Sequence, residues 1–407
     1  MAPVYAYETI GCVPDTCLPR GNRLTAGVFF AKHREPKGSR FLYAEGSMLR
    51  FPGLIDPHVH MREPGTTHKE DFDYGTAAAL AGGYAAVLTM PNTQPPICDH
   101  EALQLGGRAA RSKARCDYGI YLGAGEADAK AAAALAPRAC GLKMYLDQTC
   151  EPLRLVNMGR IRAYVAAWPA NCPLAVHAEG RGMAMMILFA SAYDRPAHIC
   201  QISLNSEVLL IRMAKQAGLP VTYEVTPQHL FLSQEDMPRL GEGRAEVRPR
   251  LAAKADVEAL WEDLDVIDCF ATDHAPHTVV EKDSQNPPPG FPGPETSLGL
   301  LLQAVHEGRL GHEAIIERCY TNPRRIFGLP EQRETYVEVD PDEEWEVRGA
   351  ELQSRCGWTP FEGMCLRGRV RNVVLRGRPA FADGRVLSER GAGEDLAPAF
   401  HDEIGSL

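Results

Sequence analysis

Residues 51–65 read F-P-G-L-I-D-P-H-V-H-M-R-E-P-G, and the apolar run that follows closes on M-P-N-T at Met90. Apolar residues lead into two histidines and an arginine at a spacing of two, so on a strand His58, His60 and Arg62 share one face. Two imidazoles on one face can hold a cation together, and a guanidinium beside them suits an anion. One H-x-H among thirteen histidines is not diagnostic by itself, so the reading rests on its surroundings.

Eight apolar segments share this plan: 53–60, 85–92, 118–123, 140–145, 173–177, 197–201, 220–224 and 266–274. Each is followed by a loop and helix-like sequence such as 256–264, and alternation of that kind points to βα units. Eight units close a barrel, so the expected fold is α/β, a (β/α)8 TIM-like barrel over residues 51–332. Chemistry in such barrels gathers at the strand C-termini. Here those ends carry His58, His60, Asn92, Lys143, His177, Gln201, Glu224 and Asp273. Residues 1–50 and 333–407 differ in character, with short β-like runs at 40–43 and 370–375, and are expected to form a small β-sandwich domain built from both chain ends, followed by a tail. Asp383-Gly384, set between apolar runs, is a hairpin turn signal.

Composition narrows the function. The 407 residues, 45% apolar, are enough to bury a large core. A net charge of −10 without a basic stripe argues against nucleic acid as partner and for a small molecule. The longest apolar run, 183–193, is too short to span a bilayer, and no basic segment followed by an apolar one opens the chain, so a cytoplasmic protein with no membrane partner is expected. Twelve cysteines spread without C-x-x-C spacing fit reduced thiols.

The motifs, taken in order, carry a resemblance. G-L-I-D-x-H-V-H-x-R-E-P-G at Gly53, H-K-E-D at His68, M-P-N-T at Met90, G-L-K-x-Y-L at Gly141, V-H-A-E at Val176 and D-H-A-P-H at Asp273 together resemble the dihydroorotases, members of the amidohydrolase superfamily, over nearly the whole chain. E-V-R-P at Glu246 and P-P-P-G-F-P-G at Pro287 are similar in particular to the dihydroorotase domain of the multifunctional animal pyrimidine-synthesis protein. The resemblance implies two Zn2+ ions, with His58, His60 and Asp273 on one, His177 on the other and Lys143 bridging them. An ammonium between two dications is repelled, so Lys143 fits that place only as its carboxylated, anionic form. The resemblance further implies Asp273 as the proton-moving catalytic residue and Arg62, Asn92, Arg248 and His277 as ligands of the substrate carboxylate. Backbone groups of Pro289 and Gly290 would meet the substrate ring, and Thr149, followed by Cys150, would lie on a loop closing over it.

Three positions depart from that pattern. Gln201 stands where a histidine would bind the second zinc, and an amide oxygen is a weaker zinc donor than imidazole. His198, three residues earlier, would face the opposite side of a regular strand and so would not substitute. Gln228 replaces a histidine, and Cys150 an aromatic residue. Cys200 and Glu224 match positions of an additional zinc in the animal relatives, or are a buried thiol and an ordinary strand carboxylate.

Two readings of function stand side by side. The first is a zinc-dependent cyclic amidohydrolase interconverting dihydroorotate and N-carbamoyl-L-aspartate, a homodimer working beside other pyrimidine-synthesis enzymes. The second, resting on Gln201, is a catalytically defective dihydroorotase-like domain with a structural or oligomerising role. Hydrolysis of hydantoins, dihydropyrimidines or allantoin is disfavoured, because substrates without a carboxylate would leave Arg62 unpaired.

Overall fold

Two sheets share the chain. The structure is a computed structural model that describes residues 48–147 and 153–397, all within the unit that begins at Arg40. Strand β1 (Leu49–Pro52) belongs to the smaller sheet. The next eight form the larger one in chain order: β2 (Leu54–Val59), β3 (Tyr84–Thr89), β4 (Asp117–Gly123), β5 (Gly141–Tyr145), β6 (Leu174–His177), β7 (Ala197–Ile199), β8 (Val221–Val225) and β9 (Cys269–Phe270). All seven neighbouring pairs are parallel. A bridge between Val59 and His274, with His60 N donating to His274 O at 2.7 Å, joins last to first. The expected (β/α)8 barrel is therefore the architecture observed.

Strand alternation sorts the side chains into two layers. Ile55, Ala86, Leu88, Tyr121, Ala175 and Cys200 cluster with Phe327 on one side, and Leu54, Val87, Leu122, Leu142, Met144, Val176, Ile199 and Val225 pack under the helices on the other. Helices begin where the sequence supplies side-chain acceptors for free N–H groups. Asp71, at the end of H-K-E-D, caps Phe72–Ala81, and Asp99 caps His100–Lys113.

Segments on either side of the barrel meet in one antiparallel sheet, β1 with β10 (Tyr336–Glu346), β11 (Cys365–Leu375), β12 (Arg378–Ala382) and β13 (Arg385–Val386). Leu49 pairs with Val339 and Phe51 with Val337, so this pairing spans most of the chain. The β12–β13 hairpin turns on Asp383 (φ 45°) and Gly384 (φ 79°), the left-handed pair that a two-residue turn requires. The 40–43 run, Thr149 and Cys150 lie outside the described residues. The nine cysteines among the described residues are free thiols, and no helix there is long and apolar enough to cross a membrane.

Candidate active site

A cavity of about 230 Å³ opens at the C-terminal ends of the barrel strands. His58, His60, His177, Gln201 and Asp273 line one end, and Arg62, Asn92, Arg248, His277, Pro289 and Gly290 line the rest, with Tyr145, Ala275 and Pro288 between them. His58 and Asp273, 215 positions apart in the chain, thus share one wall because each ends a barrel strand or starts the loop after it.

Hydrogen bonding fixes the rings at the first end. His58 Nδ1 is bonded to Glu224 Oε1 and His60 Nδ1 to Asn92 Oδ1 at 2.6 Å. Both partners are acceptors, so each Nδ1 carries the proton. Burial lowers both imidazole pKa values, that of His60 to about 4, so the rings are neutral and each Nε2 presents a lone pair. Both lone pairs point at Asp273 Oδ1, 3.3 Å from His58 and 3.0 Å from His60. Three acceptors that converge without a proton between them repel one another unless a cation sits among them, so this set fits a metal ion.

The residues expected around a second zinc do not meet that test. Gln201 Oε1 lies 2.5 Å from His177 Nδ1, and whichever way the amide is turned that nitrogen is engaged. Lys143, fully buried, donates from Nζ to Cys200 Sγ at 2.9 Å and stands 5.2 Å from the Tyr145 ring centroid. His58, Cys200 and Glu224 form another compact donor group, with the Cys200 thiol pushed up by burial and so retaining its proton.

The alternation argument about His198 is corrected here. β7 ends at Ile199, and Gln201 follows it in a left-handed conformation (φ 56°), so the two positions are not on one regular strand. His198 is buried and reaches the site through Glu224: Nε2 donates to Glu224 Oε2 at 3.1 Å and Nδ1 accepts from Thr222 Oγ1 at 2.9 Å. His58 and His198 thus each hold one oxygen of Glu224. Burial opposes ionisation of that carboxyl, but the His58 and His198 imidazoles outweigh it and hold the group well below the usual range. The parity that His198 shares with Cys200 was the available signal. Gln228 Nε2 donates to Thr272 O at 3.1 Å and so braces the segment leading to Asp273.

At the other end Arg62 (φ 57°) donates from Nε to Pro276 O at 3.1 Å and brings Nη2 to 2.9 Å from His277 Nε2. Lys69 Nζ lies 3.1 Å from His277 Nδ1, and Pro289 O lies 3.0 Å from Nε2, the nitrogen that also faces Arg62. Burial first, then the Arg62 and Lys69 cations, keep His277 neutral. Arg248 is paired with Glu246 and also donates to Val247 O at 3.1 Å. Gly290 N donates to Glu246 O at 3.0 Å.

Comparison with known proteins agrees with this architecture. A family model described as dihydro-orotase-like matches residues 47–146. "Multifunctional protein pyr1-3" of Dictyostelium discoideum is 51% identical over 350 residues, 86% of this chain. The chain spans only 16% of the length of that relative. "Dihydroorotase" of Pyrococcus abyssi is 33% identical over 370 residues, which cover 88% of this chain and 89% of that protein. Among solved structures, the "inactive dihydroorotase-like domain" of the Chaetomium thermophilum CAD-like multifunctional protein superposes with a TM-score of 0.74 at 28% identity, over 86% of this chain and 99% of that one. The chain is an α/β barrel with ligand-type residues gathered at its strand ends. The chain belongs to the dihydroorotase family.

Proposed function

We propose that this protein is a dihydroorotase, opening the ring amide of dihydroorotate to N-carbamoyl-L-aspartate and closing it in reverse. The observation that carries the reading is one cavity with a cation-demanding set, His58, His60 and Asp273, at one end and Arg62, Arg248 and His277 at the other. Zinc is the metal proposed for the first end, since two imidazoles and a carboxylate are its ordinary ligands. The chemistry that zinc supplies when bound in such a place is polarisation of a carbonyl and acidification of a water.

The chain's own residues do the remaining work. Arg62, with Arg248 and Asn92, receives the substrate carboxylate, a planar anion that a guanidinium fork matches. The Pro289 carbonyl, 3.0 Å from His277 Nε2, accepts from a ring N–H, with Gly290 beside it closing the wall. Asp273 accepts the proton of the attacking water as its oxygen bonds to the ring carbonyl carbon, then delivers it to the ring nitrogen as the C–N bond breaks. Glu224, held by His198, orients His58. The second zinc that the resemblance implies is left out, because the His177 nitrogen that would face it is engaged by Gln201. The proposal includes a cytoplasmic homodimer working with other enzymes of pyrimidine synthesis, in keeping with the multifunctional relatives.

The second reading, a domain without activity, is favoured by Gln201 bonded to His177. Both are tested on one sample by measuring zinc per chain together with rates on dihydroorotate, carbamoyl-aspartate, dihydrouracil and allantoin. Turnover of the first two alone is expected. Zinc-loaded protein that turns over none of them establishes the inactive domain.

A further inference from the structure

Beneath the anion-binding end of the cavity lies a cation that neither the sequence patterns nor the resemblance single out. Lys282 ends the helix Val279–Lys282, five residues after His277, and is fully buried. Burying an ammonium is costly unless its N–H groups are received. Lys282 Nζ donates to the carbonyl oxygens of Glu246 at 2.7 Å and Pro288 at 2.9 Å, and it lies 5.7 Å and 5.5 Å from the ring centroids of Phe291 and Trp358. Both rings are within cation–π range.

One cation therefore gathers three segments that line the cavity: the one with Arg248, the one with Pro289 and Gly290, and its own, with His277. Two further contacts tie them. Gly290 N donates to the same Glu246 oxygen at 3.0 Å, and Trp358 Nε1 donates to His277 O at 2.8 Å. The approach is close as well, since a Cβ on Gly243 would stand 1.9 Å from Lys282 O. Burial lowers the Lys282 pKa to about 8, partly offset by the Glu246 carboxylate.

We infer that Lys282 is a positioning residue: its ammonium clamps the Glu246–Arg248 and Pro288–Gly290 segments and thereby sets affinity at the anion-binding end without touching substrate. The inference rests on the proposed use of the cavity for dihydroorotate. Lys282→Met removes the donors while keeping an unbranched apolar stem. KM for dihydroorotate rises by about tenfold or more, kcat stays within about threefold, and zinc content is unchanged. The Gly290 amide exchanges with deuterium about tenfold faster or more, while amides of β5 keep wild-type rates.

Exchange is read without turnover. A wild-type protein that hydrolyses nothing sinks the functional reading and leaves the clamp still under test. Unchanged Gly290 exchange in Lys282→Met overturns the clamp, and faster exchange with unchanged KM overturns its role in affinity. Should the variant fail to fold, the wild type decides. The titratable groups facing Lys282 are Glu246 and His277, and His277 stays neutral throughout. Gly290 and Phe291 exchange, corrected for intrinsic chemistry, then rises between about pH 7 and about pH 9.5 as the ammonium is lost. A flat profile there overturns the inference.

Discussion

At Gln201 the backbone turns left-handed and brings an amide oxygen to 2.5 Å from His177 Nδ1. An imidazole in that place would supply a strong nitrogen donor and would release His177 to act as another. Histidine is among the side chains that tolerate a positive φ, so the substitution does not demand a new backbone. Gln201→His is therefore expected to raise zinc from about one to about two per chain on zinc-loaded protein, measured by elemental analysis of the folded sample. One zinc in both proteins would show that Gln201 is not what limits occupancy. At this scale the sequence was largely legible. His58, His60, Asn92, His177 and Asp273 each end an apolar run, and that position alone brings them together. His198 was not legible, because its orientation was counted from Gln201, which stands beyond the end of β7. Its partner Glu224 lies on the neighbouring strand, a relation that spacing along one strand does not reveal.

Elements carried the signal unevenly. The eight barrel strands were legible because each pairs an apolar run with a polar end, a pattern that survives even where the strand is as short as Cys269–Phe270. The Pro287–Gly293 segment had no such pattern and reads locally as a linker. It crosses the cavity because Ala275 N donates to Phe291 O at 2.8 Å and Gly290 N to Glu246 O, pairings with residues 16 and 44 positions away. Gly290 is the residue on which that crossing depends. Its φ is 142°, and a Cβ there would stand 2.5 Å from Ala275 O. Gly290→Ala must push the segment off the 275 strand extension and widen the cavity. The expected result is a loss of kcat/KM on dihydroorotate of about tenfold or more with zinc content unchanged, since none of the metal-facing residues moves. Wild-type kinetics in a folded Gly290→Ala protein would show that the segment does not shape the site.

Over the whole molecule, the barrel count followed from repetition, but the pairing of β1 with β10 has no local signal, because register between residues 49 and 339 is set by packing alone. Closure of the barrel depends on a buried acid that joins its first and last strands. Asp56 Oδ1 accepts from Thr272 N at 3.0 Å and His58 N at 3.2 Å, and Oδ2 is 2.5 Å from Thr272 Oγ1. Burial is the larger influence and raises the Asp56 pKa to about 7 in spite of these donors. A folded-state pKa above the unfolded value of 3.8 means that the native protein holds a proton that the unfolded chain has lost. The stability contributed is then fully present below the unfolded pKa and disappears as pH rises through about 7. Asp56→Asn mimics the protonated acid: Oδ1 keeps both backbone donors, and Nδ2 donates to Thr272 Oγ1. Measured by denaturant unfolding of chelated protein, so that metal binding at His58 adds nothing, the wild type should lose about 1.4 kcal/mol per pH unit relative to Asp56→Asn between about pH 5 and about pH 7. The difference should then level off above about pH 8, where both states have lost the proton. Parallel stability curves for the two proteins across that range would mean that Asp56 is ionised in the closed barrel, with Thr272 and His58 sustaining the charge.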